Sequence, residues 1–204
     1  MLRDNGTVWD SFSREGAKKF LWGDKFGVDH PSRTAVRDWI KKNYPEKPTL
    51  LDIPCGAGVD VEVLKDIVEY HGMDKTKVFM ATFRDMFPDL KASIGDIREI
   101  PCKDEAFDIV YARAIFEHLC DVEDTRLAMK ECFRVAKEAC IFSFFVPLSN
   151  KETIDWNGKY YRNIYKKQDI IDIIDDLEPE SVEHQFVEVD DKFEDSYDIF
   201  YVKK

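Results

Sequence analysis

Residues 50–60 have the sequence LLDIPCGAGVD, in which an apolar run ends at a carboxylate and two closely spaced glycines follow. The apolar run leading into Asp52 is typical of a strand buried in a parallel sheet. Gly56 and Gly58 lack a Cβ, so they can adopt a positive φ and allow a ligand to approach the backbone closely. Because apolar residues recur at helical spacing after the turn, the stretch predicts a strand, a glycine turn and a helix that bind a cofactor.

The composition limits the classes of protein that fit this turn. A chain of 204 residues with 44% hydrophobic residues suits one α/β domain with a sizeable core. The formal net charge of −11 disfavours nucleic acid and anionic membranes as partners, because both attract clustered basic residues. The five cysteines form no C-x-x-C pair, and no apolar run is long enough to span a membrane. We therefore expect a cytoplasmic protein without a disulfide framework or a metal site.

Two further acidic residues end predicted strands. Asp74 follows Gly56 by eighteen residues, close to the roughly 20 residues that separate a glycine turn from a ribose-binding carboxylate. A carboxylate can accept hydrogen bonds from both vicinal hydroxyls of a ribose. Asp74 could instead cap the helical pattern that includes Val78, and the two roles are compatible. Asp96 ends the next, weakly alternating segment.

Five short segments follow one another in a set order: LDIPCGAG, GMD, GDI, FDIV and EHL, at residues 51–58, 72–74, 95–97, 107–110 and 117–119. This order resembles the class I S-adenosylmethionine-dependent methyltransferases. The resemblance implies a three-layer, Rossmann-like α/β sandwich whose mostly parallel seven-stranded sheet ends in an antiparallel C-terminal hairpin. It also implies S-adenosylmethionine as the cofactor.

The resemblance implies a set of cofactor-binding residues: Asp52, Pro54, Cys55, Gly56, Gly58, Asp74, Lys75, Asp96, Ile97 and Arg113. Within this set, Gly56 and Gly58 would approach the amino-acid part of the cofactor. Asp74 would hold the ribose, and Asp96 with Ile97 would meet the adenine.

Arg113, just past the fourth strand, would lie near the sulfonium side of the pocket according to the same resemblance. The chain departs from the commonest family pattern at Pro54, where a first glycine is usual, so the turn must tolerate a φ near −65°.

A nicotinamide-dependent oxidoreductase shares the strand, the turn and the later acidic residue. That alternative predicts a third glycine where Val61 stands.

His118 is the candidate catalytic residue. It lies next to Glu117 just beyond the fourth strand, and an unperturbed imidazole has a pKa near neutrality. An alcohol or phenol acceptor needs a group that takes its proton, whereas an amine needs only to arrive deprotonated. The alternative is a histidine that is hydrogen-bonded at the start of a helix.

An aromatic hairpin is predicted after the fifth strand, where the dipeptide Asn157-Gly158 favours a type I′ turn. At the carboxyl edge of the sheet this hairpin could form an acceptor-binding flap, or it could be a packed surface hairpin. The candidate acceptor-binding residues are Trp22, Trp156, Tyr160, Tyr161 and Arg162.

We expect a single domain with four parts: an N-terminal helical cap (1–46), a cofactor-binding core (47–146), the aromatic flap (147–165) and a C-terminal helix and hairpin (166–204). The amphipathic pattern from Val8 to Leu21 predicts one helix, which could cap the core or act as a lid.

The predicted function is methyl transfer from S-adenosylmethionine to an O or N atom of a small-molecule acceptor, by a monomer or homodimer. Two alternatives stay open: an NAD-dependent oxidoreductase, and a non-catalytic cofactor-binding partner protein. The second would suit the acidic C-terminal segment, where thirteen carboxylates lie between Asp169 and Asp198.

Overall fold

The computed structural model describes residues 6–22, 30–144, 148–156, 161–188 and 196–204 of the chain.

Three helices precede the first strand: α1 (Gly6–Asp10), α2 (Arg14–Trp22) and α3 (Pro31–Asn43). The prediction of one continuous helix over the first two is wrong, because the helix is interrupted at residues 11–13. The Ser13 hydroxyl accepts a hydrogen bond from the backbone N–H of Gly16 at 3.0 Å. Ser13 therefore caps a new helix at this point.

The core alternates strands and helices: β1 (Thr49–Asp52), α4 (Val61–Leu64), β2 (Glu69–Asp74), α5 (Lys77–Met86), β3 (Lys91–Ile94), β4 (Phe107–Arg113), a short 3-10 helix (Phe116–His118), α6 (Val122–Val135) and β5 (Ala136–Phe144). The remaining elements are β6 (Thr153–Trp156), β7 (Tyr161–Ile164), α7 (Lys167–Asp175), β8 (Ser181–Glu188) and β9 (Ser196–Lys203).

Seven strands form one sheet in the order β3-β2-β1-β4-β5-β9-β8. The first five strands of this order are parallel, while β9 runs antiparallel to β5 and to β8. Since β1 lies between β2 and β4, the chain crosses over to the other side of β1 after β3. A crevice forms between parallel strands where the strand order reverses in this way.

Both faces of the sheet are covered by helices. Leu50 and Leu51 are neighbours on β1, are both 0% exposed, and belong to different apolar clusters. One cluster includes buried residues of α3, α4 and α5, and the other includes buried residues of α6 and α7. The predicted three-layer sandwich with an antiparallel C-terminal hairpin is therefore confirmed.

The helix after the glycine turn is shorter than its apolar pattern predicts. The pattern continues to Val68, but α4 ends at Leu64. The backbone N–H of Val68 still bonds the carbonyl of Leu64 at 3.1 Å, in a turn that leads directly into β2. Val68 is 3% exposed, so its apolar character reflects burial in this turn.

The predicted hairpin strands are present as β6 and β7, which pair antiparallel with Trp156 opposite Tyr161. The Asn157-Gly158 turn itself lies outside the described residues.

Gly58→Ala should lower the free energy of unfolding. Gly58 has a φ of 95°, and a Cβ there would lie 2.6 Å from Cε2 of Phe87. Strain of this kind costs about 1–3 kcal/mol. Urea denaturation followed by circular dichroism measures the loss.

The matched control is Gly16→Ala in α2, where the new Cβ would lie 3.1 Å from the Ser13 hydroxyl and 3.6 Å from Cδ1 of Phe12. We expect this control to change stability by less than about 1 kcal/mol. Equal unfolding midpoints for the two variants would contradict the strain assigned to Gly58.

Candidate cofactor site

The carboxyl ends of three neighbouring strands meet at one edge of the sheet. Asp52, the last residue of β1, pairs in register with Gly72 of β2 and Tyr111 of β4. Asp74 ends β2 and Arg113 ends β4. The crevice between β1 and β4 therefore opens among the residues that the sequence predicts to bind the cofactor.

The glycine turn leaves β1 and runs across the end of β2. Gly56 and Gly58 have φ values of 55° and 95°, as their predicted role in a tight turn requires. The backbone N–H of Cys55 donates to the carbonyl of Met73 at 2.9 Å. The peptide bond that precedes Pro54 is cis.

The side chain of Cys55 is buried against Met80. Burial raises the pKa of its thiol, so it lacks the thiolate character of a nucleophile.

Asp74 connects the turn to the start of α5. Its Oδ2 accepts a hydrogen bond from the backbone N–H of Gly56 at 3.0 Å, and its Oδ1 accepts one from Thr76 at 2.7 Å. Thr76 is the N-cap of α5, so Asp74 does not itself cap this helix; the second bond holds the residue that precedes its first turn. The side chain is 4% exposed, and burial raises the pKa of Asp74.

Asp52 is buried beneath the glycine turn. Its Oδ2 accepts a hydrogen bond from the hydroxyl of Tyr70, while its Oδ1 is buried and has no hydrogen-bond partner within the described ranges. Burial, with a smaller contribution from Asp60, raises the pKa of Asp52 well above its usual range.

Asp96 lies at the expected corner beyond β3, but its side chain is engaged by a cation. Arg98 donates to Oδ1 of Asp96 from Nε at 3.1 Å and to Oδ2 from Nη2 at 2.8 Å. Lys75 lies 3.8 Å from the same carboxylate. Ile97 is 5% exposed. An adenine at this corner would therefore meet a carboxylate that is already paired.

Arg113 is buried at the end of β4, with its side chain 8% exposed. Its Nη2 donates to the hydroxyl of Tyr197 at 3.1 Å and to Ser32 at 3.3 Å. Its guanidinium group also lies 5.1 Å from the centre of the Tyr197 ring, a cation–π distance. The residue therefore joins α3 and the C-terminal strand β9 to the cofactor edge.

Two site residues, Arg33 and Asp60, were not predicted from the sequence. Arg33 in α3 forms an ion pair with Asp60, just after the glycine turn, at 3.0 Å. A basic residue in the first turn of a helix opposes the helix dipole, so Arg33 could have been noticed as out of place. Its partner could not have been found, because the pairing joins distant parts of the chain.

The candidate base His118 lies in the 3-10 helix, against the N-terminal helices. Its ring lies edge-on to the ring of Trp9, with 5.1 Å between the centres. The centre of the Trp9 ring also lies 6.3 Å from the centre of the Phe79 ring in α5, and the centre of the Phe12 ring lies 6.0 Å from it. The segment carrying Trp9 and Phe12 therefore connects the residues that follow β2 with those that follow β4.

The β6–β7 hairpin is anchored to the segment that carries His118. Asn163 Nδ2 donates to the carbonyl of Leu119, and the Tyr165 hydroxyl donates to the carbonyl of Phe116 at 2.7 Å. Asn163 and Tyr165 are 2% and 1% exposed. The hairpin is therefore attached to the 3-10 helix and the residue after it through buried hydrogen bonds.

The candidate acceptor residues lie mostly beyond what the structure describes. Tyr160 lies outside the described residues, as do the side chains of Trp22, Trp156 and Tyr161, whose backbones belong to α2, β6 and β7. Arg162 is half-buried and opposite Asp155 in the hairpin. Their role in binding an acceptor stays a prediction.

Among the helices that the structure describes, none is long and apolar enough to cross a membrane.

A family profile described as "Methyltransferase domain" matches residues 51–144, which run from β1 to β5. Over these residues the chain is similar to S-adenosylmethionine-dependent methyltransferases. This match confirms the resemblance and the cofactor that the sequence motifs predicted. The glycine turn, Asp74 and Asp96 all lie within the matched segment.

Two curated relatives match about half of the chain. A protein of Mycolicibacterium smegmatis described as a "probable S-adenosylmethionine-dependent methyltransferase" is 27% identical over 99 residues, 48% of this chain and 37% of its own length. A demethylmenaquinone methyltransferase of Thermotoga maritima is 29% identical over 115 residues, 55% of this chain and 48% of its own length. The chain thus spans less than half the length of either relative.

The fold is similar to that of a magnesium protoporphyrin IX methyltransferase from Synechocystis, whose structure contains S-adenosylmethionine. The TM-score is 0.74 at 15% identity, with 98% of each chain covered. The likeness extends over the N-terminal helices and the C-terminal hairpin as well as the core.

The residues at the sheet edge fit this cofactor. The carboxylate of Asp74 accepts backbone hydrogen bonds from Gly56 and Thr76 and a further one from the Thr76 side chain, and a ribose hydroxyl would use the acceptor capacity that remains. The buried Oδ1 of Asp52 would be satisfied by an ammonium group, such as that of the methionyl part. The positive φ values of Gly56 and Gly58 suit a backbone that a ligand approaches closely.

Cofactor affinity should depend on the ionisation of Asp74. Burial raises its pKa, so protonation competes with hydroxyl binding at a higher pH than for an exposed aspartate. Affinity should therefore fall as the pH decreases through this raised pKa. Titration calorimetry with S-adenosylhomocysteine between about pH 5 and 8 tests this.

Asp74→Asn should weaken binding by about tenfold to hundredfold and remove this acidic decline, because hydrogen bonds to a charged acceptor are lost. Asp89→Asn, at an exposed position between α5 and β3, is the control and should leave both quantities unchanged. An Asp74→Asn variant that keeps the affinity of the unmodified protein would exclude the ribose assignment.

Proposed function

We propose that this chain transfers the methyl group of S-adenosylmethionine to an O or N atom of a small-molecule acceptor. The observation that carries the proposal is the hydrogen bond between Gly56 and Asp74 at 3.0 Å. It joins the two family motifs that would hold opposite halves of the cofactor, the amino-acid part and the ribose.

The bound cofactor supplies an electrophilic methyl group on a positively charged sulfur. The chain's own residues then have to align the acceptor, exclude water and accept a proton where one is released. Gly56 and Gly58 would hold the amino-acid part, Asp74 the ribose, and Ile97 the adenine. Because Arg98 engages both oxygens of Asp96, we expect adenine recognition to rely on the backbone of this corner as well as on the Asp96 side chain.

The acceptor would bind between the N-terminal helices and the 3-10 helix that follows β4. Trp9, Phe12 and Phe79 bring aromatic rings together beside His118. Rings of this kind favour an acceptor with an apolar or planar part, and they exclude water from the transfer. The relatives named above act on chemically different acceptors, so the acceptor of this chain has to come from experiment.

Small molecules are favoured over nucleic acid by charge. The chain has a formal net charge of −11. A nucleic-acid methyltransferase would have to overcome this repulsion with a clustered basic surface. The N-terminal lysines Lys18 and Lys19 are exposed in α2, but Lys19 is paired with Glu15 at 3.1 Å.

The oxidoreductase alternative lacks support at the position where it requires a third glycine. Val61 occupies that position and is 0% exposed, packed in the core beneath the turn. The non-catalytic alternative predicts cofactor binding without turnover.

Binding and transfer assays separate these functions. We expect S-adenosylmethionine and S-adenosylhomocysteine to bind in calorimetric titrations and NAD to give no heat. When the protein is incubated with methyl-labelled cofactor and a metabolite extract, the label should appear in the low-mass fraction of the extract. Boiled protein is the control. Binding of NAD alone would exclude methyl transfer, while label in RNA or protein only would exclude the small-molecule acceptor.

His118 is proposed as the general base for an oxygen acceptor. His118→Gln should lower kcat by about a hundredfold and leave the affinity for S-adenosylhomocysteine unchanged, because only proton transfer is affected. With the cofactor saturating, kcat should also lose the acidic decline that protonation of a general base causes.

The control for this substitution is His184→Gln on β8, at the edge of the sheet, where His184 pairs with Asp198 at 2.6 Å. The control should keep the full rate. A His118→Gln enzyme with a rate within about twofold of the unmodified protein would assign His118 a structural role instead.

A further inference from the structure

The two edge strands of the seven-stranded sheet differ in length and composition. β3, at one edge, has four residues and begins with Lys91. β8, at the other edge, has eight residues and contains no lysine, proline or glycine. Edge strands pair readily with other strands, and proteins protect them by keeping them short or by placing lysine or proline in them. Of the two edges, β3 has this protection and β8 does not.

β8 is regular along its whole length. Its residues pair with β9 one for one, from Ser181 opposite Lys203 to Glu188 opposite Ser196, without a bulge. In the part of the chain that the structure describes, β9 is the only strand that pairs with β8. The outer side of β8 therefore has a row of backbone N–H and C=O groups onto which a further strand could be added.

One face of β8 also exposes apolar side chains. Val182 is 44% exposed and Phe186 is 54% exposed. Val182 lies opposite Val202, which is buried in the cluster that includes residues of α6 and α7, so both side chains point to that face of the sheet. Removing such side chains from water favours association.

The geometry of an antiparallel ladder restricts how two copies of β8 can pair. Only every second residue points its N–H and C=O groups outward, so an odd-numbered residue must lie opposite an odd-numbered one, and an even opposite an even. If a two-fold axis passes through His184, Val182 lies opposite Phe186 of the second copy. This apolar pair occurs twice, once on each side of the axis.

The two neighbouring registers are less favourable. An axis at Glu183 places two carboxylates directly opposite each other, and like charges in that position are destabilising. An axis at Gln185 places Val182 opposite Glu188, so an apolar residue meets a charge. The side chains therefore favour the register with its axis at His184.

The face of β8 that packs on α3 supplies a polar pair in the same register, because Glu183 would lie opposite Gln185 of the second copy. Oε1 of Gln185 accepts a hydrogen bond from the Tyr201 hydroxyl at 3.1 Å, so the donor Nε2 is the group left for the second copy. Oε2 of Glu183 accepts one from Nε1 of Trp39 at 3.2 Å, which fixes the carboxylate on this face. Gln185 can then donate to Glu183 across the interface, twice by symmetry.

The residue on the axis is held towards the inside of the sheet. Nε2 of His184 lies 2.6 Å from Oδ1 of Asp198, and the His184 ring is stacked on that of Phe200 with 4.6 Å between the centres. Both partners belong to β9. The imidazole therefore leaves space at the edge for the backbone of a second copy.

We propose that β8 is a dimerisation edge, at which two copies of this chain pair antiparallel about a two-fold axis at His184. The same strand supplies both members of the Val182–Phe186 pair and of the Glu183–Gln185 pair, so a second copy fits this edge better than a different protein. The ladder would include residues 181–187 of each copy. Because this is a small interface, the dissociation constant should lie in the micromolar range.

The first test determines the register with disulfides. In His184→Cys the two new thiols face each other on the axis, at a Cα separation of about 4.5–5.5 Å that a disulfide can span. Mild oxidation should give a covalent dimer on a non-reducing gel. Val182→Cys is the control, because its two thiols would lie more than about 13 Å apart. The unmodified protein, with its five cysteines, gives the background.

A second pair of variants leaves His184 unchanged. A mixture of Val182→Cys and Phe186→Cys, with an affinity tag on one of the two, should form a mixed covalent dimer, while neither variant should do so alone. If neither His184→Cys nor the mixture forms a covalent dimer, the proposal is overturned. A covalent dimer of Val182→Cys alone, formed as readily as that of His184→Cys, would also overturn it.

Sedimentation velocity measures the association without any cysteine. In about 0.5 M NaCl, which screens the repulsion between two copies of net charge −11, the unmodified protein should change from monomer to dimer between about 1 and 200 μM. Phe186→Lys should raise the dissociation constant at least about tenfold, because a charge replaces an apolar contact at the edge. Leu127→Lys on α6 is the matched control, since Leu127 is 53% exposed, and it should have no effect.

A chain that stays monomeric over this range would overturn the proposal in favour of an extended segment of a different protein at β8. A Phe186→Lys protein that dimerises as strongly as the unmodified one would exclude this edge as the interface. Equal weakening by Phe186→Lys and Leu127→Lys would overturn the proposal as well, because the effect would then not be specific to β8.

Discussion

The hydrogen bond from the Gly56 N–H to Asp74 holds together the edge of the sheet on which the site is built. It is supported by the bond from Cys55 to the carbonyl of Met73, so the turn after β1 is attached to β2 at two successive residues. Both glycines in the turn have a positive φ, and a Cβ on Gly58 would collide with Phe87. The shape of the crevice therefore depends on main-chain geometry more than on any exposed side chain.

A second constraint comes from the strand order. Because β1 lies between β2 and β4, residues far apart in the sequence end at the same edge, where Arg113 bonds both Ser32 of α3 and Tyr197 of β9. The cluster of Arg33, Asp60 and Arg113 is a product of this arrangement. Its charges are held in a low-dielectric interior, where each interacts more strongly than it would in water.

The sequence predicted those parts of the fold and site whose physical cause is local. Asp52, Gly56 and Asp74 each terminate or follow a strand in a pattern that a short stretch reveals. The interruption of the N-terminal helix and the early end of α4 depend on capping and packing. The spacing of apolar residues along the sequence does not reveal either of these causes. Arg33 was missed because its partner, Asp60, is brought near only by the folded chain.

The buried bonds of Asn163 and Tyr165 link the β6–β7 hairpin to the segment that carries His118. Thr125 of α6 also donates to the Tyr165 hydroxyl at 2.8 Å, so three elements share one polar junction. Breaking it would leave buried carbonyl and hydroxyl groups without partners, which is unfavourable. The hairpin and the 3-10 helix are consequently expected to shift as one unit, so a molecule that displaces the hairpin would also alter the position of the His118 imidazole.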